Sequence, residues 1–204
     1  MSKLGKIPSL IIIAAIYAFA LVGGYILARF IPVGMILRLF LADVFATVIV
    51  YIFSVIFKNT SVYDPYWSLV PWVLALIAMI ETMNFTAPII ILFIAFSFWS
   101  WRLTFNWVFT FQNMTWEDWR YSQYRDNFPR PLFELLNFVG LQMMPTVVVF
   151  GGLWPFLLLI QQGSNYIAIL GAIVIMVGTT LEYFADHQMH RFLSETKEKK
   201  VCQK

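Results

Sequence analysis

The residues able to do chemistry crowd into two stretches of this chain. Between Trp101 and Phe138 stand Arg102, Asn106, Gln112, Asn113, Glu117, Asp118, Arg120, Tyr121, Arg125, Asp126 and Arg130, the one long polar interruption in an oily sequence. Its centre reads Trp116-Glu117-Asp118-Trp119-Arg120-Tyr121. Mixed charges beside aromatic rings could bind an anionic cofactor or substrate, and Arg120, Arg125 and Arg130 offer planar forks for phosphate. The plainer reading is a solvated amphipathic loop with local ion pairs. The second stretch holds Glu182, Asp186 and His190, with His187 and Arg191 beside them. Four-residue spacing puts the first three on one helical face. Carboxylates and imidazole are metal ligands, but the chain has only 2 histidines, so no metal is expected. There is no P-loop and no dinucleotide-binding glycine fingerprint.

The elements that must position these residues are apolar. The sequence is 60% hydrophobic, 18% aromatic and 12% charged, with mean hydropathy +0.75. Soluble domains average about 25% charged residues. The composition therefore predicts an all-α polytopic membrane helix bundle, a single membrane domain over 1–204. Six spans are expected at about 10–28, 39–57, 68–83, 87–108, 139–160 and 166–184, with a polar loop at 109–138. The first apolar run is too long for a cleaved signal, whose core is about 7–15 residues. Asp43 reads as an interfacial residue or a partner of Arg38, and Glu81 as an interfacial end to the third span. Arg102 lies within the fourth span, where it must pair, face water or snorkel to the nearby interface. Pro145, Gly151-Gly152 and Pro155 are expected to interrupt the fifth span. Gln161 to Asn165 reads as a tight turn.

Six spans put Lys3, Lys6, Lys58, Arg102, Arg120, Arg125, Arg130, Arg191, Lys197, Lys199, Lys200 and Lys204 on one side, against Arg29 and Arg38 on the other. The positive-inside rule then predicts cytoplasmic termini and a cytoplasmic 109–138 loop, in an endoplasmic reticulum or bacterial inner membrane. The modest net charge of +3 marks topology, and no nucleic acid partner is expected. Cys202, the single cysteine, has no internal disulfide partner. The aromatics of the polar island, Trp116, Trp119, Tyr121 and Tyr124, predict that it is held against the bundle.

Four motifs occur in order: Asp64-Pro65-Tyr66-Trp67-Ser68 with Pro71; Trp101-Arg102-Leu103; Glu117-Asp118-Trp119-Arg120-Tyr121; and Glu182-Tyr183-Phe184-Ala185-Asp186-x-Gln188 with Phe192. Together they resemble the steroid 5α-reductase-like superfamily, in its DUF1295 branch, from about Ser61 onward. The resemblance implies a membrane reductase that uses NADPH to reduce a carbon–carbon double bond conjugated to a carbonyl in a lipid-like or steroid-like substrate. It implies a cofactor cavity among the helices, with Glu182 and Asp186 on one wall and Arg102, Glu117, Asp118, Arg120 and Tyr121 on the other. A protein acid would polarise the carbonyl; Glu81, Tyr63 and Tyr121 are the candidates. Steroid-acting members carry a tyrosine where Trp99 stands, and basic residues where Thr110, Phe111 and Gln112 stand. The family continues past the Asp186 helix into a segment that supplies much of the NADPH site. This sequence stops at Val201-Cys202-Gln203-Lys204, where that segment is expected to begin. Weak NADPH binding by these 204 residues is the consequence. The alternatives are a non-catalytic membrane subunit or scaffold of a larger complex, and a methyltransferase of the isoprenylcysteine type.

Overall fold

The computed structural model describes residues 4–163 and 166–195, the side chains of His190 and 193–195 excepted. Lys3, Ser164, Asn165, Cys202 and the four tail lysines lie outside the described residues. The described chain is all-helical, with six helices long and apolar enough to cross a membrane. The helices are α1 (Lys6–Arg29), α2 (Met35–Phe57), α3 (Tyr66–Thr82), α4 (Ala87–Thr110), α5 (Trp119–Asn127), α6 (Arg130–Leu135), α7 (Met144–Gln162) and α8 (Ile167–Glu195). A 3-10 turn, Thr60–Val62, precedes α3. A π-helical stretch, Leu136–Met143, joins α6 to α7, so one apolar rod runs over Arg130–Gln162.

Backbone hydrogen bonds must be satisfied inside lipid, which is why the spans are helices. With little hydrophobic drive between helices in lipid, small residues set the approach distance. Ala20, Gly24 and Ala28 form a buried stripe on α1, facing Ala42 and Ala46 of α2. A Cβ on Gly24 would stand 2.4 Å from the Ala42 carbonyl oxygen and 3.0 Å from the Ala46 nitrogen, both rigid backbone atoms. Gly24→Ala is therefore expected to push α1 off α2 and cost about 1–3 kcal/mol. A melting temperature equal to that of the parent would refute the close approach.

Three features correct the sequence expectations. Asp43 is neither interfacial nor paired with Arg38: it is 2% exposed and accepts a hydrogen bond from Tyr66 Oη at 2.9 Å. Arg38 instead pairs with Glu81, which also accepts from Tyr25. The break in the fifth span falls earlier than expected. Gly151, Gly152 and Pro155 lie within α7, and the irregularity is the π-helical stretch ahead of Pro145. There Gln142 donates to Asn137, five residues back, at 3.0 Å and to Ser54 of α2 at 2.9 Å. The π repeat brings residues five apart into register, and Pro145 has no N–H with which to continue the ladder behind it. Finally, the 109–138 segment is not one loop. It holds α5 and α6, and its last residues, 136–138, already belong to the fifth span.

Alternating spans put the starts of α1 and α3 and the ends of α4 and α8 on one face, and contacts agree. Lys6 Nζ donates to the Phe109 carbonyl, so the start of α1 meets the end of α4. The Glu81–Arg38–Tyr25 cluster marks the other end, with Arg29 3.9 Å from Glu81.

Candidate functional site

The polar island packs onto the end of the bundle through a small set of buried groups. Asn59 caps the 3-10 turn by accepting from Ser61 N–H, while its amide donates to the carbonyls of Met114 and Trp116, both at 2.8 Å. Glu117 accepts from Thr60 N–H at 2.7 Å and from Arg125 at 2.8 Å. Ser61 Oγ accepts from Asp118 N–H, and Ser9 Oγ accepts from Met114 N–H. Phe111 is fully buried, stacked on Trp107 with ring centres 4.4 Å apart and edge-on to Trp116. The island is docked as expected, but through Trp116 and Tyr121 only; Trp119 and Tyr124, expected to be held against the bundle too, are exposed.

This docking creates a cavity of about 440 Å³ between α3, α4 and α5, walled by Trp67, Trp107 and Trp116 and carrying Asp64, Asn106, Asp118, Arg120 and Tyr121. Asp64 is its focal acceptor. One carboxylate oxygen takes the Tyr121 hydroxyl at 2.7 Å, the other the Trp107 indole N–H at 3.3 Å. Asp118 caps α5 by accepting from Arg120 N–H and grips the Arg120 guanidinium at 2.8 and 3.0 Å. That hydrogen-bonded grip holds the Asp118 carboxyl below its usual range and raises the guanidinium's pKa further. Burial, and then the nearby Asp64 carboxylate, push the Tyr121 hydroxyl up, so it stays a neutral donor.

A second cavity, about 270 Å³, shares Asn106 and adds Arg102, Phe105, Phe109, Tyr183, Asp186 and His187. Arg102 is paired. Its side chain is 16% exposed and bridges α4 to α8, donating to Glu182 at 2.5 Å and to Asp186. Asn106 donates to the same Asp186 oxygen at 3.4 Å. A third cavity, about 380 Å³, lies deeper between α4, α7 and α8. It is lined by Leu92, Phe96, Trp99, Leu153, Phe156 and Ile175, with Thr179 and Glu182 as its polar members. Gly152 and Gly178 line it too, and nothing lies within 4 Å of where either would carry a Cβ, so these glycines hold the slot open. Trp67 of the polar cavity and Trp99 of the apolar slot touch, ring centres 6.2 Å apart.

The structure therefore brings Arg102, Glu182 and Asp186 together, and places Asp118, Arg120 and Tyr121 in the neighbouring cavity. Glu117 is not among the cavity residues; it ties the island down. The three candidate acids are dispersed. Tyr63 is 2% exposed and bonded to Thr146, and Glu81 sits at the opposite end of the bundle. Trp107 was not singled out from the sequence; Asn106 stood only among the polar residues of the island, and Asp64 only as the first residue of a motif, since its acceptor role needs Tyr121, 57 residues away. Among the described residues no three His, Cys, Asp or Glu side chains gather as metal ligands would.

The chain was compared with known proteins. The family model described as "Protein of unknown function (DUF1295)" matches residues 50–204. No curated protein and no solved structure matches the chain. The family match spans about three quarters of the sequence and takes in every residue of the three cavities, from Asp64 to His187: the protein is a member of the DUF1295 family.

Proposed function

We propose that this protein is the membrane core of a reductase that uses a reduced nicotinamide nucleotide to saturate a conjugated carbon–carbon double bond in a lipid-like substrate. The observation that carries the reading is the adjacency of two unlike cavities. A polar, aromatic one and an apolar slot meet at α4, divided by the Trp67–Trp99 pair and the Arg102–Glu182 bridge. Intramembrane charges are costly and mark functional sites more often than structural ones. The twelve-to-two split of basic residues supports a cytoplasmic polar cavity, within reach of a soluble cofactor.

The donor set fits half of NADPH. Indole faces suit a planar ring, and the Asp64 and Asp186 carboxylates and the Asn106 amide suit sugar hydroxyls and a carboxamide. The phosphates are served poorly, because Arg120 is engaged by Asp118 and Arg102 by two carboxylates. When bound, the cofactor supplies a hydride. The chain's own part is to exclude water with the tryptophans, to orient ring and sugar, and to supply a proton. Of the three candidate acids only Tyr121 lines the polar cavity, where burial holds its hydroxyl protonated as a hydrogen-bond donor to Asp64. The paired arginines also support a second reading, a non-catalytic membrane subunit that keeps the scaffold.

Titrating inside-out membrane vesicles with NADPH and with reduced nicotinamide mononucleotide, reading tryptophan fluorescence, separates the two. The reductase reading expects weak saturable quenching by both, of similar affinity, and none in right-side-out vesicles. Absence of quenching by either nucleotide in either orientation leaves the scaffold reading. Tight binding of NADPH alone would refute the half-site fit.

A further inference from the structure

Away from the α4–α8 site, on the same end of the bundle, a cavity of about 270 Å³ is lined by Val55, Lys58, Arg125, Arg130, Phe133 and Glu134. Three cations therefore face one small space beside one carboxylate. Arg125 is positioned by the fold: it pairs with Glu117, reaches the Lys58 carbonyl and lies over the Phe133 ring at 4.5 Å. Lys58 and Arg130 have no protein partner for their charges among the described residues. They stand where two spans leave the membrane, Lys58 capping α2 and Arg130 opening the Arg130–Gln162 rod. Unpaired cations at that depth meet lipid headgroups. Exposed apolar side chains continue down both helices, Ile52 and Ile56 on α2, Leu135 and Val139 on the rod. They offer a path for acyl chains.

We propose that this cavity binds the phosphate of an anionic phospholipid, with Lys58 and Arg130 as its charge partners and Arg125 as the third wall. Glu134 disfavours a second negative charge, which suits a headgroup with one phosphate and hydroxyls. The site is independent of the reductase reading, since none of its residues lines the other three cavities.

Native mass spectrometry of the detergent-solubilised full chain tests it, with phosphatidylglycerol, phosphatidylcholine and inorganic phosphate as probes. One phosphatidylglycerol per chain is expected to bind more tightly than phosphatidylcholine, and inorganic phosphate is not expected to displace it. Each surface cation is worth about fivefold, so Lys58→Gly with Arg130→Gln should weaken phosphatidylglycerol about 30-fold. Lys58 holds a left-handed backbone, φ 52, that glycine adopts more easily, so its loss should not unfold the protein. Lys58→Arg should retain binding. Equal affinity for the two lipids, an unchanged affinity in the double variant, or displacement by inorganic phosphate would each overturn the proposal.

Discussion

Asn59→Ala is expected to cost about 3–5 kcal/mol and to release the segment between α4 and α5. Asn59 is 2% exposed, and its side chain satisfies three backbone groups at once: the carbonyls of Met114 and Trp116 and the N–H of Ser61. An unsatisfied buried backbone group costs about 1–3 kcal/mol. Water can reach part of this layer once it loosens, which keeps the total below the simple sum. The amides of Thr115 to Tyr124 should exchange slowly in the parent and much faster in the variant, with a fall in melting temperature. Glu117→Gln retains an acceptor for Thr60 N–H and loses only the charge against Arg125, so its effect should be smaller. Fast exchange across this segment in the parent would show that the island is not docked, and the polar cavity would lose its floor.

The second large effect belongs to Arg102. Removing one partner of a buried ion pair costs about 3–5 kcal/mol, because the remaining charge is stranded. Glu182 and Asp186 are nearly half exposed, at 47% and 44%, which lowers the figure for Arg102→Ala to about 1–3 kcal/mol. The sign of the cause can be isolated. If stranded carboxylates are responsible, Glu182→Gln with Asp186→Asn in the Arg102→Ala background should recover most of the loss. A merely lost packing contact would recover nothing. Nucleotide quenching in the Arg102→Ala protein should fall as well, since Arg102 and Asp186 share the cavity with Asn106. Quenching unchanged in a folded Arg102→Ala protein would move any nucleotide site away from the α4–α8 bridge.

Membrane residence, helix count and the two polar stretches were legible in the sequence, because lipid imposes length and hydropathy on each span separately. Cost arguments of the same local kind flagged Arg102, since a charge inside a span must find something. Local arguments failed where a partner lay far along the chain. Asp43 lies 23 residues from Tyr66 and meets it only when folding closes α2 on α3, so Arg38, close by in sequence, was the natural but wrong partner. Glu117 and Tyr121 share one motif, yet one faces Thr60 and Arg125 and the other Asp64. That division depends on how the island lands on the turn before α3. The π-helical register was equally hidden, because its cause is the joint demand of Asn137, Gln142 and Ser54 rather than the more conspicuous glycines and Pro155. Sequence determined which residues needed partners, since burial in lipid makes every charge and amide costly. Tertiary structure alone decided who the partners were, because hydrogen bonds act over about 3 Å in space whatever the separation along the chain.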